Sequence, residues 1–177
     1  MLLITVSETE FYDPVKEEFI PVNCTTLKLE HSLYSLYEWE KKWKKPFLET
    51  KMTREEFLSY VECMNLTPDV NPEVYKLLTQ SDIETIQKYL NDPMTATTFT
   101  NRDPNAMNQK KQIITAELVY YMMFSQQIPI ECDRWHFNSL MTLIRVCSIK
   151  NAPPKKMSKA ETMARHKAAN AKARARH

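Results

Sequence analysis

The first 30 residues alternate apolar and polar positions with the two-residue period that is typical of β-strands. This pattern predicts strands over residues 2–6, 19–22 and 25–30, with Asp13-Pro14 as the turn signal after the first strand. The interpretation is a small antiparallel β-hairpin or three-stranded sheet over residues 1–30. Because an isolated hairpin is only marginally stable, we expect the following helices to cover it.

From Ser32 onward the apolar residues recur at steps of three and four, which is the spacing of one face of an α-helix. Capping boxes predict helix starts at Thr53 and at Ser81, each followed three residues later by a glutamate. Asn71-Pro72 is predicted to cap a short helix. Prolines are expected to end the longer helices, at Pro46, Pro93 and Pro129.

Residues 94–110 are predicted to form a linker, with a short extended segment at 94–99 followed by a polar loop. The next helix is expected to bury a broad apolar face, formed by Ile114, Leu118, Tyr121 and Met122 and widened by Ile113, Tyr120 and Phe124. A further helix is predicted from about Asp133 to Ile149. Its apolar face is so wide that we expect it at the centre of the core.

The chain contains no glycine, although about 7% is usual in soluble proteins. This absence excludes the glycine-rich loops that bind dinucleotides or nucleoside triphosphates, and it excludes the nucleophile elbow of the α/β-hydrolases. Helices must also end without the usual left-handed glycine, so we expect Asn or Pro to take that position. No catalytic signature remains, and the protein is predicted not to be an enzyme.

Positive charge is concentrated at the carboxyl end of the chain. Residues 155–177 hold eight Lys or Arg and one Glu, a charge of +7, and since the whole chain carries +2, residues 1–154 carry −5. This tail is rich in alanine, and the capping box of Ser158 with Glu161 predicts an exposed helix. We therefore predict a mainly α (α+β) fold: a globular domain at 1–154, with the sheet in 1–30 and helices in 31–154, and a basic helical tail at 155–177.

Candidate metal-binding and catalytic groups are sparse. Cys132 and His136 are four residues apart, which would place both on one face of a helix, but zinc needs three or four ligands and no other Cys or His completes the set by spacing. The four cysteines form no Cys-x-x-Cys pair and are predicted to be reduced thiols. No metal, cofactor or catalytic site is predicted, and no apolar run is long enough to predict a membrane span.

Two basic segments raise the question of nucleic-acid binding. Residues 39–45 combine Trp39 and Trp43 with lysines, but the four-residue spacing favours a core-facing stripe with solvated lysines over a platform for stacking bases. The basic tail has three interpretations: a solvated arm, an arm that binds nucleic-acid phosphates, and an arm that docks onto an acidic protein. It lacks the aromatic residues that sequence-specific recognition would require.

Several linear blocks stand out along the chain: LEHSL at 29–33, WEKKW at 39–43, KPFL at 45–48, MTAT at 94–97, ITAELVYY at 114–121, WHFN at 135–138, LIRVC at 143–147, KN at 150–151 and PPKKMS at 153–158. Together they resemble the tail assembly chaperones of long-tailed bacteriophages, over about residues 27–175. One departure from the family pattern is Thr98, which stands where that pattern has an aromatic residue before Phe99.

The resemblance implies a non-enzymatic protein of the host cell cytoplasm. Chaperones of this family bind the long tape measure protein and keep it soluble while the major tail protein polymerises around it, and they are absent from the finished virion. Many are also made in a longer form by translational frameshifting. The resemblance therefore implies the tape measure protein as partner, with the major tail protein and a second copy of the chain as further candidates.

Partner contacts are predicted for apolar residues and for the basic tail: Met94, Phe99, Met122, Met123, Lys155, Lys156, Lys159, Arg165, Lys167, Lys172, Arg174 and Arg176. The apolar set follows from the use of adaptable Met side chains at surfaces that bind varied partners. Two alternative functions stay open at this point. One is a structural virion protein of the head–tail region or the tail, and the other is a nucleic-acid-binding adaptor that uses the basic tail.

Overall fold

The computed structural model describes residues 1–13, 17–99, 113–152 and 159–174. The chain divides into two compact units, Met1–Cys147 and Ser148–His177, and each is described by itself. Pro14 of the predicted turn, most of the predicted polar loop and the predicted cap Ser158 lie outside the described residues.

The amino-terminal strands form two antiparallel two-stranded sheets, which share one register and are together called the amino-terminal hairpin. The strands are β1 (Leu2–Val6), β2 (Thr9–Asp13), β3 (Glu18–Val22) and β4 (Thr25–Leu29). β1 pairs with β4 and β2 with β3, and the same register runs through both ladders, from Leu2 opposite Leu29 to Asp13 opposite Glu18. The sequence predicted three strands, and β2 was missed. The outer edge of β4 is covered because Leu66 N–H donates to the Lys28 carbonyl oxygen over 2.7 Å.

Helices make up most of the described chain, and the architecture is mainly α with a small antiparallel β part, as predicted. A short 3₁₀ helix, Ile130–Arg134, precedes α6. None of the described helices combines the length and the apolar character needed to cross a membrane. The α-helices are α1 (Leu33–Trp43), α2 (Arg54–Met64), α3 (Glu73–Lys76), α4 (Gln80–Leu90), α5 (Ala116–Ser125), α6 (Phe137–Asn151) and α7 (Lys159–Arg174).

The predicted capping boxes are confirmed at one helix and wrong at another. At α2, Thr53 Oγ1 accepts from Glu56 N–H, and the Glu56 carboxylate accepts from Thr53 N–H over 2.8 Å. α4 begins earlier than predicted, because Thr79 and Asp82 form the same reciprocal cap two residues before Ser81. Since both pairs match the capping pattern, sequence spacing alone could not choose between them.

The predicted helix from Asp133 to Ile149 is interrupted near its start. The chain forms the 3₁₀ helix through Arg134, and α6 begins only at Phe137. His136 is instead paired in an antiparallel bridge with Ser32, and Phe137 N–H donates to the His31 carbonyl oxygen over 2.7 Å. Tertiary pairing with the junction between β4 and α1 therefore replaces the first turn of the predicted helix.

The core of the first unit is built around α1. Trp39 is fully buried, and its indole N–H donates to the Glu56 carbonyl oxygen of α2 over 2.9 Å. Trp43 stacks on Trp39 with ring centroids 6.4 Å apart and donates to Ser59 Oγ over 3.1 Å. The prediction that Trp39 and Trp43 form a core-facing stripe is confirmed.

A buried carboxylate joins α1 to α5 across a long stretch of sequence. Glu40 accepts from Phe47 N–H through Oε1 and from Ala116 N–H through Oε2, each over 2.8 Å. Ala116 is the first residue of α5, so the carboxylate lies at the positive end of that helix dipole. Glu40 thereby places the amino terminus of α5 beside the carboxyl-terminal part of α1.

Candidate protein-interaction surface

α5 is apolar on nearly all sides but buries only a narrow face. Ala116, Val119 and Met123 point into the core, at helical steps of three and four. Tyr121 and Phe124 were predicted to belong to the buried face, and that prediction is wrong: they are 68% and 60% exposed. The periodicity could not select the buried face because almost every position of this helix is apolar.

The exposed side of α5 continues onto α1 through aromatic contacts. Tyr37 of α1 meets Tyr120 of α5 edge-on, with ring centroids 6.0 Å apart, and Tyr120 stacks with Phe124 at 6.4 Å. We call Tyr34, Tyr37, Tyr120, Tyr121 and Phe124 the aromatic band. Two of its residues are largely exposed and three are half-buried, so the band is a surface feature of the first unit.

The 3₁₀ helix contributes charged and aromatic groups beside the band. The Arg134 guanidinium lies 3.7 Å from the centroid of the Tyr34 ring, and Arg134 Nε lies 3.5 Å from Asp133 Oδ1. Tyr120 Oη donates to Asp133 Oδ2 over 3.0 Å, and burial together with this hydrogen bond raises the pKa of Tyr120 well above its usual range. These contacts hold Tyr34 and Tyr120 in fixed positions.

Tyr, Trp and Arg are the residues that carry most binding energy in protein–protein interfaces. The aromatic band supplies tyrosines, Arg134 stacks on one of them, and Trp135, the next residue, is 50% exposed. Exposed apolar patches of this kind mark sites where another chain binds. The first unit therefore presents a surface suited to apolar segments of a partner protein.

Two of the predicted contact residues lie along α6. Ser139 Oγ donates to the Met94 carbonyl oxygen over 2.8 Å, and the Met94 side chain is exposed. Phe99 lies under Arg145, whose guanidinium is 3.9 Å from the ring centroid. The segment from Met94 to Phe99 is thus held against α6, where the ring of Phe99 already contacts Arg145 of the same chain.

The other predicted contact residues are divided between α5 and the tail. Met122 is half-buried against the core, whereas Met123 is 0% exposed and cannot contact a partner in this conformation, which corrects the prediction for that residue. Lys159, Arg165, Lys167, Lys172 and Arg174 lie on α7, and the side chains of Arg165, Lys167 and Arg174 are exposed. The remaining predicted basic residues lie outside the described residues: Lys155, Lys156 and Arg176.

No protein-family model, curated protein or solved structure matches the chain. Sequence reasoning missed the exposure of Tyr121 and Phe124, and it missed Trp135 as a surface residue. The signal that could have indicated Tyr121 and Phe124 is the apolar composition of α5 on all sides, which exceeds what one core-facing stripe requires.

Cys132 and His136 do not share a helix face. Cys132 lies in the 3₁₀ helix and His136 lies in the bridge before α6, so the spacing argument for a half-site fails. Within the described ranges, no group of three or more His, Cys, Asp or Glu side chains is arranged to hold a metal ion. Burial raises the pKa of the Cys132 thiol and raises that of Cys63 to about 11, so both are protonated and weakly nucleophilic near neutral pH.

His31 and His136 are both buried and lie side by side. The rings of His31 and His136 are 5.1 Å apart, His31 Nδ1 is hydrogen-bonded to Tyr60 Oη over 2.5 Å, and His136 Nε2 is 3.2 Å from the Tyr89 carbonyl oxygen. Burial and the neighbouring His136 lower the pKa of His31 to about 3, and burial also lowers the pKa of His136. Both rings are therefore neutral at pH 7 and join the β4–α1 junction to α2, α4 and α6.

Proposed function

We propose that the protein is a non-enzymatic tail assembly chaperone, acting in the host cell cytoplasm, that binds the tape measure protein of a long-tailed bacteriophage and keeps it soluble during tail tube assembly. Two independent features support this proposal. The linear blocks of the sequence resemble that family, and the first unit exposes an aromatic surface of the kind that binds apolar segments of another chain.

The exposed side of α5 is the observation that carries the proposal. A tape measure protein is a long helical chain with apolar faces, and such faces bind in apolar grooves or on apolar surfaces of a partner. Tyr121 and Phe124 offer large aromatic areas whose ordering costs little conformational entropy, because each ring has only two rotatable side-chain bonds. Met122, which is half-buried against the core, adds an adaptable side chain.

Co-expression with the tape measure protein of the same phage tests the proposal. We expect the tape measure protein to move from the insoluble to the soluble fraction and to co-purify with the chaperone. The double variant Tyr121→Ser/Phe124→Ser should reduce the recovered complex at least tenfold, since truncating interface aromatic residues costs about 2 kcal/mol or more each. Leu66→Ser, at a residue that is similarly exposed but outside the aromatic band, is the matched control and should leave the complex intact.

Absence of any complex with the native sequence contradicts the proposal. Equal loss with Leu66→Ser and with the double variant contradicts the assignment of the aromatic band. Mass spectrometry of purified virions distinguishes a structural virion protein from a chaperone. A stoichiometric signal of this chain in the particles would favour a structural tail or head–tail protein.

A nucleic-acid-binding adaptor is the second candidate, and α7 is the observation that favours it. Arg165, Lys167 and Arg174 are exposed on a helix without bulky aromatic residues, which suits contacts with phosphates and not with base edges. That function predicts binding to DNA or RNA that weakens steeply with salt and disappears when residues 155–177 are removed. Salt-independent retention of the tape measure protein by the shortened chain would favour the chaperone.

A further inference from the structure

A cavity of about 490 Å³ lies above the buried histidine His31, and it shares no lining residue with the aromatic band. We call it the His31 cavity. Its walls come from the loop after α1, the end of α4 and the start of α6, and they include the aromatic rings of Phe47 and Phe137. A volume of 300–1,000 Å³ with mainly apolar walls is the range in which proteins bind small organic groups.

The inner surface of the cavity is aromatic. The His31 ring lies edge-on to Phe137 with centroids 5.5 Å apart, and its centroid is 6.2 Å from that of Phe47. Aromatic rings prefer such edge-on or offset neighbours because their faces are negative and their edges positive. A further flat ring entering the cavity would therefore find favourable partners on several sides.

None of the side chains lining the cavity carries a charge at neutral pH. The polar members are three amides, Gln87, Asn91 and Asn138, together with His31, whose burial keeps it neutral because it lowers its pKa to about 3. Gln87, Asn91 and Leu48 are exposed at the mouth of the cavity, so a ligand loses water mainly at the inner wall of His31, Phe47 and Phe137. At that wall an ionised group would meet no opposite charge, which costs more than the desolvation of a neutral group. The lining thus selects against carboxylates, phosphates and ammonium groups.

The amides offer acceptors more than donors. Asn138 Nδ2 donates to the carbonyl oxygens of Leu90 over 3.1 Å and Asp92 over 2.7 Å, so both of its hydrogens are used. Asn91 Nδ2 donates to the Gln87 carbonyl oxygen over 2.8 Å. No residue of the described chain donates to the side-chain oxygen of Asn91 or of Asn138, and an amide oxygen accepts up to two hydrogen bonds.

We propose that the His31 cavity binds an uncharged aromatic group that carries an N–H donor, with indole as the simplest example. The ring packs against Phe47, Phe137 and His31, and its N–H donates to the side-chain oxygen of Asn91. The source is either a tryptophan side chain of a partner chain or a free small molecule, and the chemistry of recognition is the same for both. This inference does not depend on the proposed chaperone function.

Fluorine NMR with 5-fluoroindole and the full-length protein tests the proposal. We expect line broadening that saturates with a dissociation constant on the order of 1 mM, as small fragments of this size bind. The comparison ligands are 4-fluorotoluene, which lacks the N–H donor, and 5-fluoroindole-3-carboxylate, which is charged. Both should bind at least threefold more weakly, and the carboxylate at least tenfold, because a lost hydrogen bond and a buried charge each cost affinity.

Two variants separate the cavity from non-specific binding. Asn91→Leu removes one acceptor at nearly constant size and should weaken 5-fluoroindole about threefold to tenfold while leaving 4-fluorotoluene unchanged. Lys88→Leu, an exposed position on the same helix outside the lining, is the matched control and should change neither ligand. Thermal melting of each variant confirms that it is folded.

Three results would overturn the proposal: no saturable broadening by 5-fluoroindole, equal affinity for 5-fluoroindole and 4-fluorotoluene, or equal effects of Asn91→Leu and Lys88→Leu. A short blocked peptide containing 5-fluorotryptophan distinguishes the sources. Tighter binding of the peptide than of free 5-fluoroindole supports a tryptophan of a partner chain. Tighter binding of free 5-fluoroindole supports a small molecule, and in both cases the site is confirmed.

Discussion

At the scale of single residues, the absence of glycine has a visible consequence in the backbone. Among the described residues, five non-glycine positions adopt left-handed conformations, with φ between 47° and 58°: Glu17, Lys44, Asp69, Met94 and Gln127. We expected Asn or Pro at helix ends, and that is wrong for α1, where Lys44 takes the left-handed position and donates to the Glu40 carbonyl oxygen over 2.8 Å. A side chain with a Cβ is strained in that conformation by about 1 kcal/mol or more.

Lys44→Gly should therefore stabilise the protein. Glycine removes the strain of the left-handed conformation but adds entropy to the unfolded chain, so the expected net gain is about 0.5 kcal/mol in the free energy of unfolding. Lys41→Gly, within α1 and also exposed to solvent, should destabilise by about 1 kcal/mol. Urea unfolding of both variants checks this, and a loss of stability with Lys44→Gly would contradict it.

The role of Glu40 as a buried hydrogen-bond acceptor could not be predicted from the sequence. It lies among lysines and reads as a surface acid of α1, yet it is buried and satisfies two backbone N–H groups that belong to other segments. Nothing in helical spacing links Glu40 to Ala116, because the contact spans 76 residues.

Glu40→Gln should lower the free energy of unfolding by about 2–3 kcal/mol. The amide keeps one acceptor but turns an NH₂ group towards the second backbone N–H, which leaves a buried donor unsatisfied. The matched control on the same helix is Glu38→Gln, whose ion pair with Lys41 is partly exposed at 3.6 Å and should cost at most about 1 kcal/mol. Similar losses for both variants would show that the buried carboxylate has no special role.

At the scale of elements, the junction between β4 and α1 contacts the end of α2 and the start of α6. Glu30 N–H donates to the Met64 carbonyl oxygen at the end of α2, and the Ser32–His136 bridge precedes α6. His31 lies between these contacts, with its ring against His136 and Tyr60. The charged groups that act on the histidine pair are Asp92, the terminal amine and Glu30, which accepts from Tyr89 Oη over 2.7 Å and pairs with that amine.

Stability should fall on mild acidification because of this junction. The pKa of His31 is about 3 when folded and 6.5 when unfolded, so its contribution is full above pH 6.5 and is lost as pH falls towards 3. At pH 5 the loss amounts to about 2 kcal/mol, from 1.36 kcal/mol per pKa unit. The carboxyl of Glu56, whose pKa is lowered by hydrogen bonds from Lys45 and Thr53, adds stability that is present above its ordinary value of 4.5 and is lost only as the pH falls below that value.

Urea unfolding at pH 7, 6 and 5 measures this dependence. His31→Gln should lower the stability at pH 7 but reduce the slope of the profile between pH 7 and 5, since one of the two buried histidines that bind protons on unfolding is gone. His166→Gln changes an exposed histidine of α7 and should leave the profile unaltered. An unchanged slope in His31→Gln would show that His31 does not govern the acid response.

At the scale of the whole molecule, the basic tail and the described buried hydrophobic residues lie in different parts of the chain. Among the described residues, the buried hydrophobic side chains all belong to the first unit, whereas the described side chains of α7 are exposed, including Met163. The acidic part of the sequence is therefore the part that folds around a core, and the basic part contributes surface charge.

Removal of residues 155–177 should leave the melting temperature within about 2 °C of that of the full chain, because the described side chains of α7 are exposed and little apolar area is buried by them. Differential scanning calorimetry measures the change. A drop of 5 °C or more would show that the tail contributes to the stability of the first unit. The same shortened chain serves in the salt-dependence experiment on nucleic acids.

Much of the local structure could be predicted from the sequence, because its causes are local. The period of apolar positions indicated the strands at both ends of the hairpin and the main helices, and the cap at Thr53 was read correctly from Thr53 and Glu56. The tail helix followed from its alanine content and is present over Lys159–Arg174. These features depend on side chains within a few residues of one another, which spacing reports directly.

By itself the sequence determined the mainly α character of the chain, its amino-terminal hairpin, the core-facing Trp39 and Trp43 stripe and the separation of an acidic body from a basic helix. Only the tertiary structure decided which face of α5 is buried, where α6 begins and what surrounds Glu40 and His31. The physical reason is that apolar spacing shows which faces can be buried, whereas burial is chosen by contacts between residues far apart in the chain. The exposed aromatic band and the His31 cavity both arise from that choice.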